Sequence, residues 1–163
     1  MSRFPPEMNA FARFLLLISL IVWIGGIIFF SFVVAPALFT LLSSPAMAGT
    51  IVNRALATLH FAGLACGAIF LAATFLTVLK HVRLIRVLIA LMLLATAISQ
   101  FGVAPQMHRI REAVGGSIEA LPRQDAGRAA FDKLHEISVV LEGTTLLLGI
   151  GVVVFLAREH DPA

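Results

Sequence analysis

The chain has 163 residues, of which 60% are hydrophobic and 13% charged, with a formal net charge of +3 and a mean hydropathy of +0.99. Soluble domains are about one quarter charged, so this composition excludes the ordinary soluble classes. The basic residues lie in the termini and between the apolar runs, as in headgroup anchoring, and this argues for a lipid bilayer and against nucleic acid as the partner.

Residues 14–42, 55–79 and 87–107 contain no acidic or basic side chain other than His60, and residues 137–157 contain only Glu142. Each run exceeds the roughly 20 residues that cross a bilayer as a helix. The expected fold is therefore all-α: an integral membrane four-helix up-and-down bundle, one domain over residues 1–163. Its spans are predicted near 12–42, 54–79, 84–106 and 130–157.

In the first span, Ser19, Trp23, Gly26 and Phe30 lie at helical spacing. Trp23 sits mid-span, away from an interfacial belt, which predicts a packing role in the interior. Pro36 should kink or end the helix. The stretch "PAMAG" at 45–49 imitates a signal-peptidase site, but the apolar run before it is too long for a signal peptide, so an uncleaved helix is expected.

The second span places His60, Gly63, Gly67 and Thr74 on one face, with G-x-x-x-G at 63–67. Small residues of this kind normally serve close helix contact, with His60 hydrogen-bonded to a neighbour. The alternative is a histidine ligand beside a glycine-lined groove. Cys66, the single cysteine, excludes an intrachain disulfide and reads as a buried free thiol.

The third span offers Thr96, Gln100 and, beyond Pro105, Met107 and His108. The connection that follows contains a Gly pair and Pro122, which interrupt any helix, and Asp125 is a plausible N-cap for the last span. In that span His135, Ser138, Glu142, Thr145 and Gly149 form a polar stripe expected to face the bundle interior. A carboxylate at Glu142 needs a partner or a proton there. Glu136 is rotated away, toward Lys133 or water.

"FVVAPALF" (32–39) and "FGVAPQMH" (101–108) share F-x-V-A-P, and each is followed by a Leu-His pair, at 59–60 and 134–135. One reading is a duplicated two-helix hairpin, which would bring His60 and His135 to equivalent depths on one side. The other is chance matching among apolar residues. The even number of spans puts both termini and the 80–86 loop on one side, and basic residues divide six against six between the sides. The dense charge of that short loop favours termini in the cytoplasm, with a bacterial inner membrane as the location.

"WIGGIIFFSFVVAPALF" (23–39) together with "FDKLHEISVVLEG" (131–143) resembles a family of four-span membrane proteins of unknown function that includes the eukaryotic transmembrane protein associated with cisplatin resistance. In that family an asparagine is usual where this chain has Glu142, so no role carries over to that position. A weaker similarity links the early W-x-G pattern and the membrane histidines to CopD-like copper-resistance proteins and to four-helix haem proteins of porphyrin metabolism.

No H-E-x-x-H, phosphate-binding glycine loop, C-x-x-C or G-x-S-x-G is present, and Val139 stands where a zincin would have its second histidine. This leans away from an enzyme. Three readings stand. In the first, His60 and His135 hold haem b or copper, with Met107 and His108 as further metal ligands. In the second, a small-solute or proton-coupled transporter component, a homo-oligomer because four spans alone make a small path, uses Glu142 as its protonatable group. In the third, a structural protein uses its polar interior residues, Glu142, Ser138, Gln100 and Trp23, to join helices.

Overall fold

The computed structural model describes residues 6–115, 118–122 and 124–158, and the side chains of 6–9 and 119 are left aside. Among these residues the chain forms helices α1 (Pro6–Phe29), α2 (Ala35–Leu41), α3 (Pro45–Ala73), α4 (Val82–Ala97), α5 (Ala104–Ala113) and α6 (Ala126–Arg158). One π-helical segment, Phe30–Val34, joins α1 to α2, and another, Ile98–Val103, joins α4 to α5. Four continuous apolar rods result: Ala10–Leu41, Pro45–Ala73, Val82–Ala113 and Ala126–Arg158, each long enough to cross a membrane. Their outer faces carry exposed Phe, Leu, Ile and Val, as lipid requires, because lipid offers the backbone no hydrogen bonds and apolar side chains no reason to hide.

The prolines do not end their helices, which corrects half of the expectation that they would kink or end them. Proline lacks an N–H and its ring collides with the carbonyl four residues back. Widening the turn ahead of it removes the collision: the Ala35 N–H bonds the Phe30 carbonyl, and the Ala104 N–H bonds the Ser99 carbonyl. The rods then continue through Pro36 and Pro105, so the third span reaches Ala113 instead of stopping near residue 106.

The second span also begins earlier than its charge-free run suggests. Ser44 caps α3, its Oγ accepting from the Met47 N–H at 3.3 Å, with Pro45 in the first turn. At the other end Arg86 closes the helix, donating to Thr74 Oγ1 (2.9 Å) and the Thr74 carbonyl (3.1 Å) while stacking 3.9 Å over Phe75. Asp125 caps α6 as expected, Oδ1 accepting from the N–H groups of Gly127 (2.8 Å) and Arg128 (3.1 Å). Gly115, with φ +73°, ends α5 in the left-handed conformation that favours glycine.

The core occupies the half of the bundle nearest the 74–81 connection. Leu16, Leu20, Trp23, Ile24 and Ile27 meet Phe70, Ala73, Ile85, Ile89, Met92 and Val152 there. Trp23 is 2% exposed, and a Cβ at Gly63 would run into its indole. Gly67 likewise accepts the Trp23 ring edge, and Gly149 accepts Ile24 and the Met92 methyl. The G-x-x-x-G thus serves helix contact.

Trp23 and Met92 are separated by the interval that separates Pro36 from Pro105, and each leans on a glycine of the following span, Gly67 or Gly149. The interval from Gly67 to Gly149 is the interval from His60 to Glu142, so by these contacts His60 matches Glu142 in position and not His135.

Candidate functional site

His60 lies mid-way along α3, roughly 20 Å along the axis from either end at 1.5 Å per residue, and Glu142 is equally central in α6. The packing brings them together: His60 Nε2 is 3.1 Å from Glu142 Oε2. On the other side of the ring, His60 Nδ1 is 3.0 Å from Gln100 Oε1, which the π-helical segment of the third span turns inward. Phe61 and Phe101, the next residues on each helix, meet edge-to-face at 6.1 Å, so the two segments run in step. His60 is 2% exposed and Glu142 15%.

His60 gives Glu142 a hydrogen-bonding partner at the centre of the bundle, as a glutamate in an apolar run requires, and Gln100 holds the far side of the imidazole.

The triad forms the floor of a cavity of about 730 Å³. All four spans line it, with Ile27, Phe30 and Phe39 from the first, Val52 and Leu56 from the second, Ala104 and Met107 from the third, and Val139 and Leu146 from the fourth among its apolar walls. Polar groups are few: Ser31, Asn53, Ser99 and Ser138 in addition to the triad. The lining extends toward the end of the bundle that carries the 42–44 connection. Gly49, His108, Arg111, Phe131 and His135 stand at that end.

His135 is exposed and lies seven residues before Glu142, about 10 Å along α6 from the level of His60. The two histidines share the cavity, one at the mouth and one at the floor, and are not at matched depth. The matching Leu-His pairs therefore do not mark matching depths, since it is Glu142, about two turns beyond His135, that meets His60. Met107 lines the wall, and His108 is 59% exposed with its Nε2 3.2 Å from Glu112 Oε1. Both ring nitrogens of His60 already have partners, and among the described residues no three His, Cys, Asp or Glu side chains come together as a metal-holding group. The residues do not fit a haem or copper centre at His60.

Ser138 and Glu142 face the cavity as the polar stripe of α6 predicts, while Thr145 is buried below, its Oγ1 donating to the Leu141 carbonyl at 3.0 Å. Trp23 packs in the core and does not line the cavity. Glu136 is exposed on the outside of α6. Arg111 is the residue that sequence reading overlooks. Its Cζ lies 5.2 Å from the Phe131 ring centroid, and its buried Nε has no hydrogen-bond acceptor among the described residues. The only available signal was an arginine one turn beyond Met107 and His108, indistinguishable by spacing from an interfacial anchor.

Residues 18–115 match the family model described as Domain of unknown function (DUF4149). No curated protein and no solved structure matches the chain.

Proposed function

The chain belongs to the DUF4149 family, and since that family's description carries no activity, we propose from the site itself that the protein is a membrane-embedded binding protein for a small, largely apolar molecule. The cavity carries this reading. Its volume of about 730 Å³ falls within the roughly 300–1,000 Å³ of small-molecule sites, which are apolar with a few convergent polar groups. The tail of the ligand lies against the Phe, Val, Leu and Ile walls, and its inner end meets the His60–Glu142–Gln100 floor.

Binding is favoured over passage through the bundle because the cavity ends at the floor. Below it Trp23, Ile24, Phe70, Met92 and Val152 fill the interior. The molecule accordingly enters and leaves by the same end. With the termini in the cytoplasm of a bacterial inner membrane, as the basic 80–86 loop suggests, that end faces away from the cytoplasm.

Native mass spectrometry of the full chain released from detergent tests the reading, with palmitate and hexadecanol as probes. The wild type should retain one molecule of probe in a saturable manner. Ala57→Phe, which projects a ring into the cavity from its wall, should retain none. Equal retention by both proteins, or none by either, contradicts the proposal.

A further inference from the structure

Arg111 gives the cavity a polarity that the volume alone does not. It lies on the cavity wall toward the 42–44 end, and among the described residues Glu112, Asp125, Asp132 and Glu142 have partners of their own. Glu112 pairs with His108 at 3.2 Å, Asp132 with Arg128 at 4.0 Å and Glu142 with His60 at 3.1 Å, while Asp125 caps α6. Arg111 takes part in no ion pair among the described residues, and its Nε is buried without an acceptor. A guanidinium always keeps its charge, so one in a cavity wall with no ion pair among the described residues can be met by a ligand through its terminal nitrogens, the Nε itself being covered.

The surroundings hold the guanidinium in place. Phe131 lies beneath its Cζ at 5.2 Å, and Gly49 leaves room on the other side: a Cβ there would sit 2.9 Å from the nearer terminal nitrogen. The titratable groups facing the cavity are Arg111, His60, His108, His135 and Glu142. Glu142 is matched by His60 at the floor, so the mouth is left with one permanent positive charge and two histidines. Apolar walls below and a cation above are complementary to one class of molecule.

We propose that Arg111 is the headgroup subsite of the cavity, and that the ligand is a single-chain amphiphile with an anionic carboxylate head, its head at the Arg111 guanidinium and its tail directed toward the floor. This rests on the binding reading above and adds the charge and direction of the ligand. A carboxylate accepts two parallel N–H bonds from a guanidinium edge, an arrangement that lysine does not reproduce.

The experiment compares palmitate with hexadecanol, which share a chain length and differ in the charge of the head. Wild-type protein should favour palmitate roughly tenfold, the scale of one charge-assisted hydrogen-bonded contact in a partly dry site. In Arg111→Gln, with folding checked by thermal unfolding in detergent, the palmitate-to-hexadecanol ratio should fall to near one, and Arg111→Lys should be intermediate. If Arg111→Gln does not fold, Gly49→Ala serves instead, because it displaces the guanidinium and keeps its charge; the ratio should fall there too. Acetate, a head without a tail, should fail to displace palmitate. An unchanged ratio in the folded variant, or displacement by acetate at concentrations equal to the probe, overturns the headgroup assignment while leaving the cavity reading intact. Retention of neither probe by the wild type overturns the cavity reading itself.

Discussion

The two halves of the bundle are built from the same four rods and behave in opposite ways. In the half toward the 74–81 connection, glycines at 63, 67 and 149 are filled by Trp23, Leu93 and Ile24, and the interior closes. In the other half, the small residues Ala57, Ser31 and Gly143 line the cavity, and a Cβ at Gly143 would meet nothing within 4 Å. The boundary is the level of His60, Gln100 and Glu142, with Gln100 set in the π-helical segment of the third span. A small residue therefore has no fixed meaning in a membrane bundle. It brings helices together where a large partner fills its space, and leaves room where none does.

The largest test of this contrast removes the partner in the closed half. Trp23→Ala leaves Gly63 and Gly67 facing a void and should lower stability by about 3–5 kcal/mol, read from unfolding in detergent. Substitution of Phe39, at the open end, to Ala should cost far less, since Phe39 is exposed and lines a space already open. Equal losses at the two sites would erase the distinction between the halves.

At the boundary, His60→Ala and Glu142→Ala should each cost about 1–3 kcal/mol, because each leaves a polar partner unmatched at mid-membrane depth. The double variant should cost less than the sum, which a double-mutant cycle measures directly. Additive losses would mean that the 3.1 Å contact does not couple the two residues.

Filling the open half should have the smallest effect on folding. Ala57→Phe is expected to leave stability unchanged or raise it by up to about 2 kcal/mol. Gly49→Ala should raise it by up to about 1 kcal/mol through helix propensity, since the atom it displaces is the far end of a flexible side chain. A strongly destabilised Ala57→Phe would indicate that the open half is packed in solution.

The rods were legible because charge-free runs of this length have one physical outcome in a membrane. The inward stripe of α6 and the Asp125 cap were legible for the same reason: both are local consequences of helical periodicity. That the prolines do not end their helices was not legible, because the rule for proline is local and the widened turns ahead of Pro36 and Pro105 let each rod continue. The His60 site was half legible. Its residues stood out as polar groups in apolar runs, but their pairing depends on which glycine meets which large side chain across the bundle, and no spacing within one helix reports that. Leu-His pairs offered a plausible register that the Trp23–Gly67 and Met92–Gly149 contacts replace. Arg111 stayed hidden because its distinction is the lack of an acceptor, a property of the surrounding fold.

The most direct measurement of the division is thiol accessibility. In a Cys66→Ala background, single cysteines replace Ser31 and Ser138, which line the cavity, and Ser19 and Thr145, which are buried below it. A small methanethiosulfonate reagent should label the first two rapidly, with palmitate slowing the reaction, and leave the second two unmodified. Equal labelling at all four positions, or at none, would contradict a bundle closed in one half and open in the other.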